Sequence, residues 1–522
     1  MKIIRQMKPG LIVLLLLLII NVSKAQTFKP GFSQQKVAPI EAPTAMAQAP
    51  DGRFYICSSK GGKGFVHIVK TDGTKTLFMT LDKVYTEKEH GVVGIAFDPD
   101  FTTNKALYIF YSADLSANGD QLGDMRNKII KVIANGDQGN FSTAQTILEM
   151  DIIKKFAINY NHDGGTMHFG PDGKLYVAVG DQDIYCKQAC YDLSRNSCGC
   201  ANSAGTWPQD TNTYLGKILR INKDGSAPTD NPFYEDGASE VQKRLYVIGV
   251  RNPFTMHFRL GTSELYFNDV GSSGNGKREE INKISYSLSK EGKNFGWNRG
   301  QRFPDDGTPP SIEGYSSKAG FVSPIFAYRP DSGCAISAGV FYETNSANAY
   351  PAEYRGKYFF MDFCQGYIRY LDINTKEVKD FATDLNNLSG TGGGIGSFYL
   401  EVGQDGQFYH LVRSGTSAAG LYKISGPMSP NATTDKYADK YSFSVHPNPA
   451  NDNLNIHLTG LKSEPATLSI TNSLSKEVLS YKVNLTPGFF DQNFDIQSLE
   501  RGMYYVNLIT EGNTVTKKLV VE

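Results

Sequence analysis

Tryptophan and histidine are scarce in this chain, two and eight residues out of 522, and charge of either sign is not in excess, with 53 Lys and Arg against 53 Asp and Glu. Such a balance gives no general affinity for nucleic acid or another polyanion. Past the N-terminus there is no apolar run long enough to cross a bilayer, so no transmembrane anchor is expected. No strong amphipathic helical stretch occurs either. The chain has no Gly-x-Ser-x-Gly elbow, no His-Glu-x-x-His, and no carboxylate pair spaced as an acid and a base, so a hydrolase reading lacks support.

What is plentiful is glycine, 52 residues, with 29 tyrosines and 30 phenylalanines, a balance that suits an all-β protein with many turns. The N-terminus sets Lys2, Arg5 and Lys8 before the wholly apolar Leu11 to Ile20 and then Ser23-Lys24-Ala25. Residues 1–25 therefore read as a secretory signal peptide cleaved before Gln26, and the missing Arg-Arg pair favours Sec export over twin-Arg. Seven cysteines fit an oxidising compartment. In that context Cys186, Cys190, Cys198 and Cys200 are read as two local disulfides in preference to a zinc site. Cys334 and Cys364 flank what read as paired strands and are expected to form a third bridge. Cys57, inside the apolar Phe54-Tyr55-Ile56-Cys57, is read as a buried free thiol.

A turn feeding an aromatic strand recurs six times. Its turns are Pro50-Asp51-Gly52, Asp98-Pro99-Asp100, Pro171-Asp172-Gly173, Arg259-Leu260-Gly261, Tyr354-Arg355-Gly356 and Gln404-Asp405-Gly406. The strands that follow begin near Phe54, Ala106, Leu175, Glu264, Tyr358 and Phe408. Radial repetition of small sheets explains this pattern, so a six-bladed β-propeller is expected over residues 36–426, with long loops inserted in its middle blades. Residues 427–439 read as a linker by composition. Residues 440–522 are short alternating strands without a catalytic cluster, as expected of a small β-sandwich.

The most informative local feature is Asn161-His162-Asp163-Gly164-Gly165, a polar glycine-rich loop placed just before a short buried strand. A histidine held on a rigid rim beside glycines suits a general base, since its pKa lies near working pH. The bland alternative is a loop histidine without a task. Further polar segments are expected to converge on the propeller axis. They are Glu89 to Phe97, Leu215 to Ile221, Gly249 to Pro253, Asn268 to Ser272, Arg278 to Asn282, and Asn294 to Trp297.

In number and order these segments resemble the glucose/sorbosone dehydrogenase family, soluble six-bladed propellers that use pyrroloquinoline quinone (PQQ). The resemblance spans nearly all of residues 36–426 and implies oxidation of an aldose sugar at its anomeric carbon. It gives His162 the role of base and sets Arg251 beside the quinone oxygens, with Glu89, Asn252 and Gly271 as further cofactor contacts. It also implies calcium held by the backbone carbonyls of Gly271 and Ser272, ligands that leave little trace in a sequence. Glu279 and Glu280 could serve a second calcium, but are read first as solvated charges. Two departures count against PQQ: Glu343 stands where family members carry a lysine, and Gln365 is neutral where a basic contact is expected. A carboxylate in place of an ammonium repels a tricarboxylate by on the order of a kcal/mol even in a screened site. The alternative implied is a non-catalytic propeller that binds a glycan or a protein at the cell surface.

The tail has its own resemblance. Phe443-Ser444-Val445-His446-Pro447-Asn448-Pro449-Ala450, then Leu499-Glu500-Arg501-Gly502-Met503-Tyr504-Tyr505-Val506, and finally Lys517-Lys518-Leu519-Val520-Val521 resemble the C-terminal sorting domain of the type IX secretion system. This implies the type IX machinery as a partner, and passage across the outer membrane to the cell surface or beyond.

Overall fold

The computed structural model describes residues 26–117, 124–153, 161–182, 191–192, 197–198, 207–271, 278–284, 288–297, 321–328, 335–344, 346, 348–386, 396–414, 416–427, 442–446, 448–461, 464–472, 476–485, 488–510 and 513–521. Residues 1–25 and most of 427–439 lie outside that set. So do Ser272, Cys334, and the side chains of Cys186, Cys190, Cys198 and Cys200.

Six antiparallel sheets form a ring. Their innermost strands are Pro43–Gln48, Val92–Phe97, Gly164–Phe169, Pro253–Phe258, Ile336–Phe341 and Gly396–Val402. Each contacts the next in the ring, and the sixth contacts the first. Blades one to six are numbered by these strands. All six recurring turns fall at one structural position, between the innermost strand of a blade and its second strand. The turn is conserved in place because each blade must reverse there at the same radius.

Blade six is closed by chain from the N-terminus. Its outermost strand, Ser33–Ala38, pairs antiparallel with Gly420–Ser425, and Thr27–Phe28 adds a fifth strand to blade five. Closure leaves the ring without a broken seam. Aromatic rings fill the space between neighbouring sheets: Tyr266 packs on Phe341 between blades four and five, and Phe359 on Phe408 between blades five and six. Cys57 is a buried free thiol, as its apolar strand suggests, and burial pushes its pKa above the ordinary thiol range.

Residues 442–521 form two further sheets, one of three strands and one of four. They share a core that includes Leu454, Ile456, Leu468, Ile470, Val506 and Leu519. This is the small sandwich that the alternation of the tail leads one to expect.

Candidate active site

Two cavities lie at opposite ends of the inner strands. The first, about 260 Å³, is lined by the residues that enter those strands: Thr44, Val93, Gly164, Phe254, Ala335 and Ser337, with Glu89, Asp163, Asn252 and Arg413 beside them. The second, about 890 Å³, is lined by the residues that leave them, among them Gln48, His168, His257, Phe341 and Glu401. Between the two, blades two and three come very close: a Cβ on Gly94 would sit 1.9 Å from the carbonyl oxygen of Gly165.

The structure brings His162, Glu89, Arg251, Asn252 and Gly271 together at the entry end. His162 is buried and takes a left-handed backbone conformation, φ 60°, a strained state that clusters at functional sites. Its backbone N–H donates to Glu89 Oε2 at 2.8 Å, and the same carboxylate oxygen accepts from Asn252 Nδ2 at 3.1 Å. Glu89 thus ties the histidine loop to the strand entry of blade four. The His162 Nδ1 lies 2.6 Å from Asp181 Oδ1, and the indole N–H of Trp297 donates to Asp181 Oδ2 at 2.9 Å. The guanidinium of Arg251 lies 5.6 Å from the Trp297 ring centre and donates to the Val270 carbonyl at 2.8 Å. The backbone N–H groups of Arg251 and Asn252 both donate to Asp269. Burial raises the Asp269 pKa to about 6 in spite of those bonds.

Behind His162, Asp163 anchors the loop. It accepts from Ser112, Asn127 and Gln182 and stands 3.0 Å from the fully buried His90. Burial opposes its charge, but His90 and these donors hold the carboxyl below its ordinary range.

Sequence reasoning missed three members of this site. Asp181 lies just past the second strand of its blade, Leu175–Val179, and only the fold brings it back to the imidazole. Trp297 belongs to an expected segment, but as a contact to Asp181 and Arg251 it was not legible. Arg413 ends the second strand of blade six, and nothing local marks it. Burial depresses its pKa, and its Nη2 donates to the Lys88 carbonyl at 3.4 Å.

Other expectations need correction. Glu343 does not face this cavity: it lines the exit-end basin and accepts from Arg259 Nε at 2.9 Å. One innermost strand separates the two ends, so Glu343 cannot repel a ligand beside His162. Gln365 does lie at the entry end, in the turn next to the cavity-lining Phe363, with its backbone N–H on Asp362. Leu215 to Ile221 is not axial, because Lys217–Ile221 is the third strand of blade three. Glu279 and Glu280 are not solvated charges. Glu279 is buried and accepts from the backbone of Gly271 and Ile336. Burial, reinforced by Asp269 and Glu279, raises Glu280 to about 8. Among the described residues no three His, Cys, Asp or Glu side chains converge on a metal position.

The Glucose / Sorbosone dehydrogenase family matches residues 40–419. The chain belongs to this family. Residues 444–522 match the secretion system C-terminal sorting domain, so this sugar dehydrogenase-like propeller carries a tail that directs it for export to the cell surface or outside. Quinoprotein glucose dehydrogenase B of Acinetobacter calcoaceticus is 28% identical over 292 residues, covering 54% of this chain and 53% of the relative. HIPL1 protein of Arabidopsis thaliana is 24% identical over 303 residues, covering 50% and 40%. The chain thus spans about half the length of the curated relatives it matches. Among solved structures, the apo soluble aldose sugar dehydrogenase from Escherichia coli aligns with a TM-score of 0.55 at 20% identity, covering 76% of this chain and all of that one, a likeness of fold.

Proposed function

We propose that this family member oxidises aldose sugars at the anomeric carbon outside the cell, with His162 as general base and PQQ and calcium as cofactors. The observation that carries the reading is the 2.6 Å contact between His162 and Asp181 beside the entry-end cavity. With Nδ1 committed to Asp181, the proton-accepting role falls to Nε2, which takes the proton of the sugar's anomeric hydroxyl. Asp181 then stabilises the imidazolium, and Trp297 keeps that carboxylate from turning away.

The residues present suit PQQ. Among the described residues Asn252 Oδ1 is buried without a partner, and such a group calls for a donor. Arg413 is a desolvated cation in the cavity wall, and Arg251 is a second positive charge alongside. Together they would hold a tricarboxylate, and Glu343, at the far end, does not oppose it. When bound, PQQ supplies a quinone that accepts the two electrons of the sugar's C–H bond as hydride. Calcium would use the carbonyl oxygens of Gly271 and Ser272.

The compartment belongs to the same proposal. Residues 1–25 serve as the Sec signal, residues 427–439 link the propeller to a sorting domain over 440–522, and type IX secretion completes export. We further assign a disulfide between Cys364 and Cys334, of the kind an oxidising compartment outside the cytoplasm favours.

The test is dye-linked oxidation of a sugar panel by the purified protein supplied with PQQ and calcium. Turnover that His162→Ala lowers by about 10²–10⁴-fold is the expected result. The second reading, a non-catalytic propeller, is favoured by similarity to HIPL1 protein and, over a shorter stretch of 160 residues, to human Hedgehog-interacting protein. No turnover and no absorbance change on titration with PQQ would establish it in place of the first.

A further inference from the structure

The exit-end basin contains one layer with an unusual composition. The penultimate residues of the six innermost strands are Ala47, Ala96, His168, His257, Val340 and Glu401, and all six line the basin. Four blades supply small or apolar filler, or an acid. Blades three and four supply the same tetrapeptide in the same register, Thr166-Met167-His168-Phe169 and Thr255-Met256-His257-Phe258, with each histidine opposite a tyrosine of the next strand.

The two imidazoles are neighbours, with ring centres 4.5 Å apart and planes inclined by 49°. Neither has a hydrogen-bond partner among the described residues, although each presents two ring nitrogens. Packing alone would be met by alanine, as it is at this layer in blades one and two. Two imidazoles that share one ion at about 2.0–2.1 Å from nitrogen place their ring centres on the order of 5 Å apart when bound cis. The observed separation needs little adjustment. Glu401 puts a carboxylate on the same layer, and Glu343 stands farther along the same basin.

We infer that this basin binds a divalent first-row transition-metal ion of the zinc type, with His168 and His257 as protein ligands, water in the remaining positions, and Glu401 as acidic countercharge. Imidazole donors favour zinc, copper, nickel or cobalt over calcium or magnesium. The site is therefore distinct in position and chemistry from the calcium proposed near Gly271. Having two protein ligands, it keeps open positions that face a basin large enough for a small ligand.

The experiment is calorimetric titration of the chelator-treated full mature chain with zinc chloride in excess calcium, repeated with cobalt chloride to read the visible absorption of a nitrogen-ligated ion. One ion per chain, with a dissociation constant on the order of micromolar, is expected. His168→Ala and His257→Ala should each weaken binding by about tenfold or more, Glu401→Gln by less, and His162→Ala should leave it unchanged. Circular dichroism checks that each variant is folded, and His168→Gln replaces the alanine variant if that one is not. Absence of saturable zinc binding overturns the proposal. So does binding that survives the double His168→Ala/His257→Ala variant, or that is lost in His162→Ala. The readout is metal affinity, so its outcome does not depend on whether sugar oxidation is found.

Discussion

Asp181 touches neither cavity in its own right, yet in the proposed reaction it decides which nitrogen of His162 acts. Replacing it by asparagine keeps the size and removes the charge that orients and stabilises the imidazolium. Asp181→Asn should lower kcat by about 10²-fold with a small change in KM, measured in the dye-linked assay against a control for intact circular dichroism. A second residue reports on folding. His410 is fully buried beside Gln34, and burial lowers its pKa from 6.5 to about 4. In the unfolded chain the ring takes a proton near pH 6.5; in the fold it does so only near 4. Its contribution to stability is therefore complete above pH 6.5, is lost as pH falls through that window, and is flat below it. Roughly 3 kcal/mol is the scale for a fully buried group. Urea unfolding from pH 7 to pH 4 should show a steeper acid loss in wild type than in His410→Gln. His162, the loop around it and its role as a candidate base were legible in the sequence because glycine and turn residues mark such a loop. Asp181, Trp297 and Arg413 were not, because their partners come from other blades.

Two strands carry strain that the turn pattern did not announce. In Gly396–Val402 the register slips between Phe398 and Leu400, and Tyr399 at the bulge has φ 56° and lines the entry cavity. A bulge re-aims a side chain at the cost of one unpaired residue, and here it points a tyrosine at the axis. The other case is the approach of blades two and three. Gly94→Ala would drive its Cβ against the Gly165 carbonyl, which is backbone and cannot rotate away. It should cost more than about 2 kcal/mol, seen as a lower urea midpoint with an unchanged m-value. The strands themselves were readable from alternation and from six turns at one structural position. Their position around the axis was only partly so. Leu215 to Ile221 reads as axial from its glycine and charge yet its strand, Lys217–Ile221, lies two strands out, and Glu343 reads as standing at a cofactor-contacting position, against PQQ, yet leaves its strand at the opposite end. Sequence order gives the blade; the direction of travel along the inner strand decides which cavity a residue meets.

Across the whole molecule, the ring and the tail have separate apolar cores. Ending the chain after residue 426 should therefore leave the thermal midpoint of the propeller and any sugar oxidation unchanged while abolishing appearance of the protein outside the cell, read by fractionation and immunoblot. Removing Ser33–Ala38 should do the reverse. It strips the outermost strand from blade six, so the thermal midpoint should fall by several degrees and aggregation should rise through the uncovered strand edge.

That borrowed strand also imposes a timetable. Ser33 emerges from the ribosome early and Ser425 late, and each is the other's partner, so the toroid cannot lock until nearly all of its length has been made. Pairings this distant in sequence form slowly, which, on the export route proposed above, would leave the chain threadable while it crosses. On that route, latching would fall to the compartment beyond, where Cys364 would also meet an oxidant.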